Sequence, residues 1–323
     1  MKKEEEITLF LVGSKYFKMN LNRLIIQTEG VKNASDIEYL HRMRVASRKL
    51  LSGLNTFAEA IPKRKMKIWN SELRYLAKSL GRARDLDVQC DYLKKYLKNI
   101  ECDNHKRGVE RLILRLKQER TKRQNIVVTA VASFYKSKFH SEVNEVFNSK
   151  PYRKRLTSKR LHEPNFIKKI NSIISKKIND VLVFEEKIYD SANVEELHEM
   201  RKANKQLRYT FETFEGYYGS KIAGFIKVTK NIQDHLGIIH DCDVWLELIP
   251  KFIEKEKRRT VNYFGNAKHF SSLMPGLNHF TKDMKKVRML EYEQFIKLWK
   301  EIKTSGFWDS ISNEIILITS QSK

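Results

Sequence analysis

The sequence predicts an all-α fold assembled from two related halves, and three observations predict it. Apolar residues recur at helical spacing over long stretches, with no alternating strand pattern between them. Only 5 Pro and 12 Gly punctuate 323 residues, so few positions stop a helix. Two ordered motifs each occur twice at nearly one period, which marks an internal duplication with halves near 1–150 and 151–323.

The fuller copy of the first motif runs from Leu197 to Tyr209, without Gly or Pro. Measured from His198 at about 100° per residue, Arg201, Lys205 and Arg208 fall at about 300°, 340° and 280°. Those four groups share one stripe, while Leu197, Met200, Ala203 and Leu207 supply apolar contacts elsewhere on the helix. Upstream, His41, Arg44 and Arg48 form the same stripe, shifted by 157 residues, with Leu51 standing where Arg208 would be. A solvated face usually mixes signs to avoid self-repulsion. This stripe carries one sign and a histidine, the pattern expected where an anion is met.

The second motif is Leu80-Gly81-Arg82-Ala83-Arg84-Asp85-Leu86-Asp87-Val88, repeated as Leu236-Gly237-Ile238-Ile239-His240-Asp241-Cys242-Asp243-Val244. Its shift is 156 residues, so one residue is missing from the second intervening loop. Arg74, Lys78, Gly81 and Asp85 share one helical stripe, as do Lys230, Asp234, Gly237 and Asp241. Packed beside the first motif, Asp85 and Asp241 can accept hydrogen bonds from arginines and hold their forks in place.

Taken in order, the first helix is expected over 5–27, with Leu9, Val12, Phe17, Leu21, Leu24 and Ile25 inward and Gly30 near its end. Asp36 is a fitting N-cap for the second helix, which ends before Pro62. The third is expected over 63–98 and the fourth over 104–139, the latter also carrying Arg111, Arg115, Arg120 and Arg123. Residues 150–160 read as a basic linker. In the second half, helices are expected over 165–189 and 194–215, with Gly216 or Gly219 ending the second of them. Another should run from 221 to 249, stopping at Pro250. A loop over 260–277, a last long helix over 279–302 and a Phe307-Trp308 anchor complete the plan.

The formal charge is +24, from 63 basic and 39 acidic side chains. Such an excess repels itself in a folded chain and points to a polyanionic partner: nucleic acid, an anionic membrane surface or a phosphate polymer. Cys90, Cys102 and Cys242 form no CxxC pair and are odd in number, the usage of a reduced, cytoplasmic setting. The N-terminus has no signal-peptide pattern, and no apolar run of about 18 residues is present to span a membrane.

The constellations argue for binding and against covalent chemistry. Asp85 and Asp87 lie two apart and point to different helix faces, as do Asp241 and Asp243. The histidines at 41, 198 and 240 stand beside arginines, with no HxxxH or CxxC to complete a metal site. There is no P-loop, GxGxxG or GxSxG. No catalytic residue, metal or cofactor is therefore expected. Arginine forks take phosphoryl oxygens in pairs, lysines add point charge, and a histidine adds a donor. Two such arrays facing each other across a pseudo-twofold would line a basic groove suited to a linear polyanion.

His-x-x-Arg-x-x-x-Arg followed by Leu-Gly-x-x-Arg/His-Asp-x-Asp-Val, present twice, resembles the CHAD family of helical, histidine-containing domains over nearly the whole chain. The resemblance implies two four-helix bundles related by a pseudo-twofold, with a basic groove that binds inorganic polyphosphate. It also implies association with polyphosphate granules. The phosphate contacts it implies are His41, Arg44, Arg48, Lys49, Arg74 and Arg84 in one half. In the other they are His198, Arg201, Lys205, Arg208, Lys230 and His240, and Lys78 joins the candidate set from the Arg74 stripe. Leu51 and Gln206 depart from positions that are often basic in the family, and the first departure weakens the N-terminal array. Related chains often carry a CYTH triphosphatase domain marked by ExExK on a strand. Glu254-Lys255-Glu256-Lys257-Arg258 reads only ExExR in a helical setting, so a stand-alone binding module is expected. A nucleic-acid-binding module is the alternative, resting on net charge alone, since no stacking aromatics interleave with the stripes; Trp69, Tyr209 and Trp245 read as core. A third reading is an enzyme of phosphate metabolism using His41 or His198.

Overall fold

The computed structural model describes residues 4–147, 156–218 and 220–320, and within them every regular element is helical. The first half comprises α1 (Glu4–Ile25), α2 (Thr28–Lys32), α3 (Ile37–Thr56), α4 (Lys63–Lys98), α5 (Asp103–Lys136) and α6 (Phe139–Phe147). After α7 (Ser158–Leu161) come α8 (Pro164–Leu182), α9 (Val194–Tyr218), α10 (Ser220–Phe264), α11 (Lys268–Ser271), α12 (Met274–Thr304) and α13 (Phe307–Ser320). Asp36 caps α3, its carboxylate accepting from the Glu38 N–H at 2.9 Å. Residues 150–155 of the expected linker, the boundary between the halves and Gly219 lie outside the described residues.

The order of packing recurs. In the first half α1 packs on α3, α3 on α4, α4 on α5, and α6 returns to α1. In the second, α8 packs on α9, α9 on α10, α10 on α12, and α13 returns to α8. Across the halves α1 meets α8 and α3 meets α9. One hydrophobic core runs through both halves and holds Phe17, Met43, Trp69, Phe166, Met200, Phe211 and Trp299. A second core joins the far end of the α4–α5 hairpin, through Leu93 and Leu112, to that of α10–α12, through Trp245 and Phe280.

Several element ends differ from expectation for identifiable reasons. The first helix stops at Ile25, and Gly30 lies inside α2, where the Tyr39 ring covers it. α5 ends at Lys136, because Phe139 turns inward to open α6 beside Trp69, ring centroids 5.4 Å apart. The helix expected over 165–189 ends at Leu182, and Gly216 sits within α9 without ending it. Pro250 does not end α10, which continues to Phe264. A helical proline costs about 3 kcal/mol locally. Here Trp245 and Ile249 are buried before it and Phe252 and Ile253 pack after it, so tertiary burial carries the helix through. The expected loop over 260–277 is mostly helix: α10 stops at Gly265 (φ 72°), and Pro275 and Gly276 lie in the first turn of α12.

Gly276 sits where α12 crosses α5 at backbone contact. A Cβ there would fall 2.1 Å from the His105 carbonyl oxygen, and one at Gly108 would fall 2.3 Å from that of Leu273. Neither neighbour is a side chain that can swing away. Gly276→Ala should therefore lower stability by ~3 kcal/mol, read as a fall in the urea midpoint. Gly237→Ala, with nothing within 4 Å of its Cβ, should instead gain ~1 kcal/mol from helix propensity. Equal effects of the two substitutions would refute the close crossing.

Candidate functional site

The packing of α3 on α9 brings the two cationic stripes together. Lys205 of α9 lies among Arg48 and Arg44 of α3 and Arg201 and Arg208 of its own helix. Burial, and after it those four guanidinium groups, push the Lys205 ammonium down to about 6. Arg44 and Arg201 are also pushed below the ordinary arginine value, burial being the main cause in each. The charge is compensated thinly. Arg44 reaches Asp85 at 3.4 Å, and Arg208 reaches Glu212 at 3.5 Å. Among the described residues no carboxylate pairs with Arg48, Arg201 or Lys205.

Among the described residues, four buried nitrogens of this cluster have no hydrogen-bond partner: Nδ1 of His41 and Nε of Arg44, Arg201 and Arg208. Buried polar groups are ordinarily hydrogen-bonded, and a guanidinium left without a partner is costly. Three such Nε atoms stand on facing helices, Arg44 on α3 and Arg201 and Arg208 on α9.

The second motif divides its two aspartates by role. Asp85 accepts from Arg44, across α3 and α4. Asp87 points the other way and accepts from Arg120 of α5 at 2.8 Å. In the second half Asp243 likewise accepts from Arg288 of α12, which also donates to the Ser191 carbonyl at 2.9 Å. Asp241 stands near Arg201 without a hydrogen bond to it; burial raises its carboxyl, and Arg201 acts against that. One aspartate of each pair thus faces the cations of α3 and α9, and the other ties α4 to α5 or α10 to α12.

The histidines behave differently in the two halves because position 84 is arginine and its counterpart at 240 is histidine. His198 and His240 meet directly, Nδ1 to Nδ1 at 2.8 Å, with ring centroids 4.2 Å apart. One Nδ1–H donates and the other nitrogen accepts, so one proton lies between them. Burial, then the surrounding cations, lowers both, His240 to about 3. An open recess of about 710 Å³, bordered also by Glu195, Asp243, Glu247 and Arg288, lies against the pair. His41 is lowered by burial and then by Arg84.

The remaining candidates lie at the margins. Lys49 pairs with Glu212 at 2.7 Å, an α3–α9 tie between the halves. Arg74, Lys78 and Lys230 are exposed, with Arg74 donating to Asn70 at 3.0 Å. A Cβ added at Gly81 would lie 3.8 Å from Nε of Arg44. Leu51 packs on the core and adds no charge. Sequence reasoning missed Glu212, although its i+4 spacing from Arg208 was there to read. Tyr209 is buried as expected, and its ring lies beneath the Arg208 guanidinium, 5.4 Å from its centroid, a contact the sequence reading did not foresee. Among the described residues no cluster of three or more His, Cys, Asp or Glu is gathered for a metal ion, and no helix is long and apolar enough to cross a membrane.

Comparison with known proteins bears on this geometry. The model of the CHAD domain family matches residues 15–250. A crystal structure of the CHAD domain from the plant Ricinus communis superposes with a TM-score of 0.60 at 21% identity, covering 88% of this chain and 91% of that one. At that identity the likeness speaks to the fold. No curated protein matches the chain.

Proposed function

This chain belongs to the CHAD domain family, and from that premise we propose that it binds inorganic polyphosphate along the facing cations of α3 and α9. The observation that carries the reading is the set of unpartnered buried Nε atoms on Arg44, Arg201 and Arg208. Phosphoryl oxygens supply the acceptors these donors lack and neutralise the repulsion among Arg44, Arg48, Arg201, Lys205 and Arg208. A linear polyphosphate offers negative charge at every link with no base or sugar to accommodate. The module acts as a binder and not as a catalyst: cations meet the polymer, and Asp85 holds Arg44 in place. Its place is the cytoplasm, at polyphosphate granules.

Direct binding of long-chain polyphosphate across a salt series, with duplex DNA as competitor, tests this. Affinity should fall steeply with salt, as counterion release dictates for any polyanion, so the competition decides. Polyphosphate should hold the array against DNA at equal phosphate concentration. Equal displacement per phosphate would reduce the array to a general polyanion surface. Release of inorganic phosphate, or a phosphate adduct on the intact protein, would overturn the non-catalytic reading.

A further inference from the structure

The ExExR segment and the residues after it form a second cationic centre on other elements. Glu256 of α10 is fully buried. It accepts from Arg111 at 3.0 Å, from Arg115 Nε and Nη2 at 2.8 and 2.7 Å, and from Arg259 at 3.2 Å. Burial pushes its carboxyl up, but the hydrogen bonds from Arg115, Arg259 and Arg111 outweigh this and hold it below the usual range. One carboxylate thus gathers three guanidinium groups from α5 and α10, leaving local positive charge in excess. Each guanidinium has five donors. Arg111 and Arg259 each give one to Glu256, so most of their fork stays available on a half-exposed side chain.

One helical turn beyond Arg259, on the same face, stands Tyr263, 83% exposed. Phe264 is 52% exposed and packs edge-on to it at 4.7 Å, and His269 lies 4.6 Å from Phe264. Tyr263 is the most exposed of the large hydrophobic side chains among the described residues. Lys257, Arg258 and Lys268 lie within six residues of Tyr263 in sequence, all exposed.

We propose that this tip of α10 binds single-stranded nucleic acid, with Tyr263 and Phe264 stacking on bases and Arg111 and Arg259 holding phosphates. Aromatic faces beside a cationic track are how single strands are held without sequence preference. A duplex keeps its bases stacked and cannot use the rings. A lipid surface would need a broader apolar face, whereas Asn262, Gly265 and Asn266 flank these rings.

The test uses the full chain with a short uridine-rich RNA carrying 4-thiouridine. Photocrosslinks should map to Tyr263, Phe264 or their neighbours; crosslinks confined to residues 41–50 and 194–210 would overturn the proposal. The second measurement separates this site from the polyphosphate array by working in an Arg201→Glu/Arg208→Glu background. There Tyr263→Ala should weaken RNA binding about tenfold, with Tyr263→Phe restoring it. Arg259→Ala should reduce the salt slope by about one. Polyphosphate affinity in the otherwise unmodified chain should not change with Tyr263→Ala. Unaltered RNA affinity in Tyr263→Ala, or its loss of binding to phosphatidylserine vesicles alone, would refute the site.

Discussion

Arg201→Glu combined with Arg208→Glu should lower polyphosphate affinity at least a hundredfold without lowering the thermal midpoint of the free protein. Each arginine offers charge-assisted bonds to phosphate, and such bonds contribute about 1.5–3 kcal/mol. Losing two therefore costs two or more factors of ten, before the repulsion from two new carboxylates is added. The fold should survive because these side chains bind little within the chain. Arg201 has no carboxylate partner among the described residues, and Arg208 has only the 3.5 Å contact with Glu212. Glu212 keeps its shorter bond to Lys49. Their apolar neighbours Met200 and Leu207, both fully buried, are untouched. Reversal also relieves the crowding of like charge around Lys205, so the free variant should unfold no earlier than the parent. Calorimetry of binding and a thermal melt check both halves of the statement. A folded double variant that still binds at parental affinity would place polyphosphate elsewhere on the surface.

The parts of this site that were legible in the sequence are those fixed by the period of one helix. The stripes His41-Arg44-Arg48 and His198-Arg201-Lys205-Arg208 follow from 3.6 residues per turn, as does the separation of Asp85 from Asp87. The Asp36 cap and the bounds of α4 were equally local. What could not be read depends on how helices meet. The contact between His198 and His240 needs the register of α9 against α10, which no spacing within either helix encodes. The passage of α10 through Pro250 rests on burial of Trp245 and Ile249 against the other hairpin, a tertiary term that overrides the local penalty. The trio of arginines on Glu256 joins residues about 145 apart in sequence, so ExExR read alone suggested only a fragment of an absent motif. Such sites become visible only once the two hairpins are packed.

Polyphosphate binding should take up protons, and affinity should fall as pH rises from 6 towards 9. In the free protein the Lys205 ammonium is pushed down to about 6 by burial and by Arg48, Arg201, Arg44 and Arg208, so near pH 8 it is mostly neutral. A phosphate chain laid over those cations reverses the field and returns the proton to Lys205. His198 and His41, also lowered in the free chain, act in the same direction, and His240, at about 3, adds its share at lower pH. One proton taken up per binding event changes affinity up to tenfold per pH unit. The sign for folding is opposite to that of a stabilised base. Lys205 has a folded value below its unfolded one, so between about 6 and 10.5 the unfolded chain holds the extra proton, and this group's contribution to stability rises with pH. Through Lys205, raising the pH therefore favours the fold of the free chain and weakens the complex. Titration calorimetry in buffers of different ionisation enthalpy counts the protons directly. Lys205→Met should remove the uptake near pH 8 while keeping the fold, because an apolar side chain of similar length replaces a group that is already neutral there. Proton uptake persisting unchanged in that variant would assign the coupling to the histidines instead.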